Sequence, residues 1–131
     1  MRVIKFKALT TKGDGWATGL PTIDEDGNSI IIPSRWLSKL GQNYVYPGYR
    51  VSRVDASTVC QYIGLKDING KDVYEGDIVH LHRNGKYTYI VEWKDRCATF
   101  VARCRETGIG LANLNENSEI EVIGNIYAND E

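Results

Sequence analysis

Hydrophobic and polar residues alternate along several short segments of the chain, and this pattern predicts β-strands. The clearest segment is KYTYIVEWK at residues 86–94. Every second residue of this segment, which we call one parity, is aromatic or apolar; these residues are Tyr87, Tyr89, Val91 and Trp93. Successive side chains of a strand point to opposite faces of a sheet, so we expect this parity to be buried.

Five further segments show strand-like patterns. They are RVIKFKA (2–8), TVCQYIG (58–64), DIVHLHR (77–83), CATFVARC (97–104) and EIEVIGNIY (119–127). In the first, Ile4 and Phe6 share a face opposite Lys5 and Lys7. In the last, the apolar residues in phase are Ile120, Val122 and Ile126. Together the segments predict a mainly β protein.

Two reversals connect the central segments. Asn84-Gly85 lies between DIVHLHR and KYTY, and Asn-Gly is the strongest short-range signal for a type I′ hairpin turn. Asp95-Arg96 precedes CATFVARC and predicts a tight reversal of uncertain turn type. Three antiparallel strands in a meander follow from these two turns.

The N-terminal half predicts an irregular β region. Residues 15–33, GWATGLPTIDEDGNSIIIP, form two extended stretches around Asp26-Gly27-Asn28. A short helix is expected after Ser34, because apolar residues follow at helical spacing and Gly41 would end it. Residues 41–51, GQNYVYPGYRV, are the expected linker, so the chain divides into regions 1–56 and 57–131.

Glycines punctuate residues 61–79, QYIGLKDINGKDVYEGDIV, at even intervals. Asn69-Gly70 predicts a hairpin turn that the side chain of Asp67 can cap. Glu75-Gly76-Asp77 then turns the chain into the strand that begins at Ile78. A Gly-Asp step of this kind suits a small barrel that changes direction sharply, so we interpret the segment as a structural corner.

The two halves of the chain differ in charge although the net charge is only −1. Residues 1–54 carry eight basic and four acidic side chains (+4), and residues 55–131 carry eight basic and thirteen acidic ones (−5). The whole chain therefore has no general attraction to nucleic acid or membrane. The asymmetry is typical of self-association, in which the basic half meets an acidic segment such as Glu116–Glu121, and also of solvated strand faces.

The cysteines and the N-terminus predict a cytoplasmic protein. The chain has three cysteines, Cys60, Cys97 and Cys104, which form no CxxC motif. Any disulfide would leave one of them unpaired, which favours a reducing compartment. MRVIKFKALT is too charged and too short for the apolar core of a signal peptide. The longest aliphatic run, at residues 30–32, is far below the ~20 residues of a membrane span.

Three short patterns contain residue types that occur in metal-binding or catalytic sites. DEDGN at 24–28 has acidic residues like a calcium loop, but its glycine position and Arg35 at the twelfth place favour a hairpin turn. His80 and His82 share a strand face, where two exposed histidines are a simpler interpretation than a metal pair. Cys97 has no neighbouring glycine-rich loop or helix start to activate it. We therefore expect no enzyme, no metal and no cofactor.

Three blocks of the chain resemble the YopX family, found mostly in phages and prophages of Gram-positive bacteria. They are QYIGLKDINGKDVYEGDIV, YIVEW at 89–93 and EIEVIGNIY, and IKFKAL at 4–9 resembles the family's opening strand. The resemblance implies an SH3-like small barrel over residues 57–131, after the irregular N-terminal β region. It also implies a family of unknown function, in which some members self-associate, and it provides no catalytic residues.

These observations predict a non-enzymatic phage or prophage accessory protein that acts through protein contacts and forms a homo-oligomer. A phage or host protein is a further possible partner. The candidate interface residues are aromatic and comprise Trp16, Trp36, Tyr44, Tyr46 and Tyr49.

The alternative is nucleic-acid binding through a basic face of the meander. The candidate contacts are Arg83, Lys86, Lys94, Arg96, Arg103 and Arg105. Single-strand binding needs aromatic platforms beside such cations, whereas parity assigns Tyr87, Tyr89 and Phe100 to the core.

Overall fold

A computed structural model describes most of the chain as two compact units of antiparallel strands. The first unit ends at Gln61 and the second begins at Tyr62. The prediction of a mainly β protein is confirmed. The described residues are 4–13, 15–33, 52–82, 87–108, 110–115 and 118–128.

The first unit is a sheet with the strand order β4-β3-β2-β1-β5. Its strands are β1 (Phe6–Leu9), β2 (Trp16–Ile23), β3 (Ser29–Pro33), β4 (Ser52–Arg53) and the start of β5 (Cys60–Lys66). A single 3₁₀ turn, Ala56–Thr58, precedes β5. Ala8, Ile31 and Val54 form the small buried core.

The DEDGN segment forms the hairpin turn between β2 and β3, as predicted. The carboxylate of Asp24 accepts hydrogen bonds from the backbone N–H of Asp26 (3.0 Å) and of Asn28 (2.8 Å). Gly27 has a φ of 84°, which favours glycine. Asp24 is therefore a local turn residue.

Lys7, on the face of β1 opposite Phe6, is a buried charged residue. The residue is only 8% exposed, and its Nζ lies 4.4 Å from the centroid of the Trp16 ring. β1 is an interior strand of its sheet, paired with β2 on one side and with β5 on the other. The ammonium group of Lys7 contacts the face of the Trp16 ring, which is a favourable arrangement for a cation.

The second unit contains a five-stranded antiparallel sheet in the order β10-β9-β8-β7-β11. Its strands are β7 (Asp77–Leu81), β8 (Thr88–Lys94), β9 (Thr99–Cys104), β10 (Leu111–Asn113) and β11 (Ile120–Asn125). The predicted meander is confirmed by β7, β8 and β9. The remainder of β5 pairs with β6 (Asp72–Tyr74) in a hairpin with an irregular register around Gly64.

The predicted barrel is not closed in the described residues. β10 and β11 lie at opposite ends of the strand order, and they do not pair with each other. Closure would need hydrogen bonds along the outer edge of β11, and residues of the β5–β6 turn occupy that edge instead. The sheet is therefore open.

The core of the second unit lies on one face of this sheet. Its buried members are Val73, Val79, Leu81, Tyr89, Val91, Ala102, Cys104 and Ile120. The predicted burial of Tyr89 and Val91 is confirmed. Trp93, which shares their parity, is 44% exposed because it lies near the end of β8, where its Nε1 donates to Asp95 Oδ1 at 2.7 Å.

The reversal after β8 is longer than predicted. It takes four residues, Asp95–Ala98, because Lys94 pairs with Thr99. Ala98 closes the turn with a φ of 49°, a conformation that few residues other than glycine adopt. No glycine marks this turn, so the sequence offered little sign of its length.

Asp67 caps its own turn, as predicted, and also reaches β11. Its Oδ1 accepts hydrogen bonds from the backbone N–H of Asn69 and Lys71, both at 2.9 Å. Its Oδ2 accepts one from the N–H of Val122 at 3.0 Å. Burial would by itself raise the pKa of Asp67, but these N–H donors outweigh it and hold the pKa below its ordinary value.

The corner at Gly76-Asp77 is equally well bonded. Asp77 is fully buried, and its carboxylate accepts from the N–H of Tyr74 (2.8 Å) and from Nδ2 of Asn125 (3.0 Å). Gly76, with a φ of 89°, donates to the carbonyl of Val91 at 2.7 Å. The interpretation of residues 61–79 as a structural corner is confirmed.

Several predicted elements lie outside the described residues. They are the helix after Ser34, the linker at 41–51 and the Asn84-Gly85 turn, although the strands on either side of that turn do pair. The described part of the chain contains no helix of the length and apolarity needed to cross a membrane.

Asp67→Asn is expected to destabilise the fold by about 1–3 kcal/mol. The amide keeps one acceptor oxygen for its own turn, but its NH₂ group would face the N–H of Val122 and leave a buried donor without an acceptor. Chemical denaturation measures the change. Asp26→Asn, at an exposed turn position, serves as the control and should stay within about 0.5 kcal/mol.

Asp67 also predicts a specific acid sensitivity. Because its pKa in the folded chain is below the ordinary value of 3.8, its stabilising effect is complete above that value and is lost as the pH falls through the folded pKa. The stability difference between the natural chain and Asp67→Asn should therefore shrink as the pH falls from about 5 toward 2. A difference independent of pH would contradict this role.

Candidate functional site

Trp16 is the one predicted interface residue that the structure describes. It is the first residue of β2 and is half-buried beneath the ammonium group of Lys7. Part of its ring is therefore already in contact within the chain. The other predicted interface aromatics, Trp36, Tyr44, Tyr46 and Tyr49, lie outside the described residues.

One cation of the predicted basic face is paired with a carboxylate. Arg103 on β9 is half-buried, and its Nε lies 3.0 Å from Oε1 of Glu92 on β8. Lys94 ends β8 and is half-buried, whereas Arg96 and Arg105 are exposed in the turns at the two ends of β9.

The two remaining predicted contacts, Arg83 and Lys86, lie outside the described residues. Carboxylates of β8 and β11, Glu92 and Glu121, also lie on the strands of this face. Among the described cations, Arg103 is paired with Glu92, whereas Lys94, Arg96 and Arg105 lie at or just beyond strand ends.

The aromatic residues assigned to the core by parity lie in or against it, whereas Trp93 at the end of β8 is 44% exposed. Tyr89 is 5% and Phe100 is 9% exposed, and Tyr87 packs against the edge of the core cluster. The parity assignment made from the sequence is therefore confirmed. In the described part of the sheet, these rings do not form a stacking platform for bases.

The histidine pair lies at the β7–β11 boundary. His80 is half-buried and lies opposite Glu121, while exposed His82 places its Nε2 3.1 Å from Oε1 of the same glutamate. Within the described ranges, no group of three or more His, Cys, Asp or Glu side chains is arranged to hold a metal ion. Cys97 is exposed in the β8–β9 turn, and Cys60 and Cys104 are buried.

A small cleft opens beside the Asp67 turn, with a volume of about 140 Å³. Its walls are formed by Lys66, Asp67, Ile68, Asn115, Glu119 and Ile120. Lys66 is bound to Asp72 at 2.8 Å, which raises the pKa of the lysine, and both oxygens of Asp67 accept backbone hydrogen bonds. These charged groups are already used to hold the turn, so we interpret the cleft as structural.

The end of β11 exposes three large side chains that the sequence pattern did not identify. Ile123 is 39%, Ile126 is 49% and Tyr127 is 44% exposed, and we call these residues the β11 patch. Ile126 was expected in the core, but the strand register shifts between Val122 and Gly124 and the strand ends at Asn125. The sequence signal for this bulge is a glycine flanked by apolar residues of both parities, because a regular half-buried strand would have apolar residues on one parity only.

The β11 patch is held in place by backbone hydrogen bonds. The N–H of Ile126 donates to the carbonyl of Gly76 at 3.0 Å, and the N–H of Tyr127 donates to Oδ1 of Asn125 at 2.8 Å. Asn125 is itself bound to buried Asp77. The patch is therefore an ordered apolar surface next to the corner of the fold.

The geometry defines a mainly β protein whose described surface offers apolar contact residues and paired charges. A comparison with family models matches residues 20–131 to the YopX family, described as YopX protein. The chain belongs to the YopX family. The match begins within β2 and thus includes much of the N-terminal region. A search of curated proteins finds no match.

The exposed position of Ile126 predicts a small effect of truncation. Ile126→Ala should change the free energy of unfolding by no more than about 1 kcal/mol, because the side chain already contacts water. Ile120→Ala, at a position only 3% exposed in the core, should cost about 2–5 kcal/mol. Urea denaturation of both variants makes the comparison, and equal losses would contradict the surface assignment.

Proposed function

We propose that this YopX-family chain is a non-enzymatic phage or prophage accessory protein. It acts through contacts with other proteins, including further copies of itself, in the cytoplasm of a bacterial host cell. Support for the compartment comes from three cysteines that form no disulfide.

The observation that carries this proposal is the β11 patch. Exposed apolar side chains scattered singly are normal, whereas several together on an ordered surface mark an interaction site. Ile123, Ile126 and Tyr127 lie within five residues, and bonds to Gly76 and Asn125 fix the backbone of Ile126 and Tyr127. Tyrosine adds a side chain that is enriched at protein interfaces.

Charge asymmetry supports contacts between copies. The +4 of residues 1–54 and the −5 of residues 55–131 attract each other when the two halves of different copies meet. The net charge of −1 gives two copies little overall repulsion.

An SH3-like architecture for the second unit is part of the proposal. Support comes from the antiparallel five-stranded sheet and from the β5–β6 hairpin, whose turn contacts β11. Since SH3-like folds serve several kinds of binding, the fold alone does not select a partner.

Light scattering tests self-association directly. Over a rising concentration series, we expect the mass to exceed that of one 14.7 kDa chain and to approach a whole multiple of it. Dilution should reverse the effect if the association is specific. A mass of one chain at every concentration would overturn self-association.

An electrophoretic shift assay tests the alternative of nucleic-acid binding, which exposed Arg96 and Arg105 favour. We expect no shift with single- or double-stranded probes at physiological salt, because Arg103 is paired with Glu92. Phosphate contacts would instead give binding that falls steeply as salt rises. A shift that is lost in Arg96→Ala/Arg105→Ala but kept in Lys71→Ala, at an exposed lysine outside the meander, would support the alternative.

A further inference from the structure

The two edges of the five-stranded sheet are treated differently by the fold. At β11, the N–H of His82 donates to the carbonyl of Glu119 at 3.2 Å, so these two residues form a hydrogen-bonded pair between β7 and β11. Because hydrogen-bonded and non-hydrogen-bonded pairs alternate in an antiparallel ladder, Ile120 and Val122 direct their backbone N–H and C=O groups away from β7. The N–H of Ile68 donates to the outward carbonyl of Ile120 at 2.8 Å. The outward N–H of Val122 donates to Asp67. The β5–β6 turn therefore satisfies the outward backbone groups of this edge, and we call such an edge guarded.

The β10 edge has no such guard among the described residues. The N–H of Cys104 donates to the carbonyl of Gly110 at 2.7 Å, which sets the phase of pairing with β9. In that phase Ala112 exchanges hydrogen bonds with β9, whereas Leu111 and Asn113 direct their N–H and C=O groups outward. Within the described part of the chain, no strand or turn pairs with this outer side.

The sequence around β10 also lacks the usual protection of an edge. Proteins discourage unwanted strand pairing with charged side chains or proline on the edge strand. Residues 107–115, TGIGLANLN, contain neither, in a chain with 25% charged residues. An uncharged edge that no described strand or turn covers is a template for strand addition.

Two described residues that precede β10, Glu106 and Gly110, lie against the neighbouring strands. Glu106 accepts hydrogen bonds from the N–H (3.0 Å) and the hydroxyl (2.6 Å) of Thr88, and these bonds lower the pKa of the glutamate. A Cβ atom at Gly110 would lie 3.3 Å from Cβ of Cys104, so glycine permits the close approach of the two strands.

We propose that β10 pairs in antiparallel fashion with β10 of a second copy, about a two-fold axis at Ala112. The inference rests on the proposed self-association and names its surface. Leu111 of one copy lies opposite Asn113 of the other, and each of these two pairs exchanges two backbone hydrogen bonds. The five-stranded sheets of the two copies then continue across the axis as one sheet.

A second copy fits this edge better than an unrelated strand. Two-fold pairing matches the same surface on both chains and leaves neither β10 edge open. Near the axis each residue approaches its own equivalent, so the absence of charge in residues 107–115 removes like-charge repulsion.

Asn113→Lys tests the pairing by placing two like charges at the new junction. We expect light scattering to change from the mass of two copies to that of one, with an unchanged far-ultraviolet circular dichroism spectrum. Asn69→Lys makes the same chemical change at the exposed tip of the turn that guards β11, and it should keep the mass of two copies. Leu111→Pro removes an outward N–H without affecting the bonds to β9 and should also give one copy.

A cross-linking variant provides a positive test. In the proposed register Ala112 faces its own equivalent in a non-hydrogen-bonded pair, in which the Cα atoms lie about 4.5 Å apart, within disulfide range. Ala112→Cys in a Cys97→Ser background should form a covalent dimer on mild oxidation. Asn69→Cys in the same background should not.

The outcomes separate this inference from the proposed function. A natural chain that is monomeric at all concentrations would overturn both the self-association and the β10 pairing. β10 pairing alone would be overturned if Asn113→Lys associates as well as the natural chain and Ala112→Cys forms no covalent dimer. Association through another surface would then account for the observed mass.

Discussion

The second unit depends on one carboxylate that bonds to two distant parts of the chain. Asp67 accepts two N–H groups of its own turn and a third from Val122, 55 residues later. Backbone donors removed from water need acceptors, and the Asp67 carboxylate supplies the acceptor that a further paired strand would otherwise supply to β11. The nearby corner repeats the arrangement, since buried Asp77 binds both Tyr74 N–H and the side chain of Asn125. The glycine-punctuated segment thus fastens the last strand to the sheet.

Fastening β11 in this way determines what each edge of the sheet offers to partners. The outward groups of Ile120 and Val122 bond to the β5–β6 turn, so this part of β11 presents side chains rather than backbone. Beyond it, the chain exposes the β11 patch. At the opposite edge, the uncharged strand β10 presents backbone groups instead. Surfaces of these two kinds suit binding, and the pairing of Arg103 with Glu92 reduces the case for a phosphate-binding face.

Much of the fold could be predicted from local patterns. Alternation correctly assigned Tyr89 and Val91 to the core, and the Asp24 and Asp67 turns follow from side chains that bond to N–H groups within four residues. The short strand β10 was missed, since three residues carry too little alternation to recognise. Trp93 and Ile126 continue an apolar parity beyond the point where the core ends, and parity alone does not say where that point lies.

The sequence by itself determined most of the longer strands, the buried face of the meander and membership of the YopX family, because these depend on neighbouring residues and on a recognisable order of motifs. Only the tertiary structure decided that the sheet is open, that Lys7 is buried and that Asp67 reaches Val122. These features depend on contacts between segments far apart in the chain. Alternation and turn chemistry describe one strand and its immediate neighbours, whereas an edge is open or closed according to what the rest of the fold places beside it.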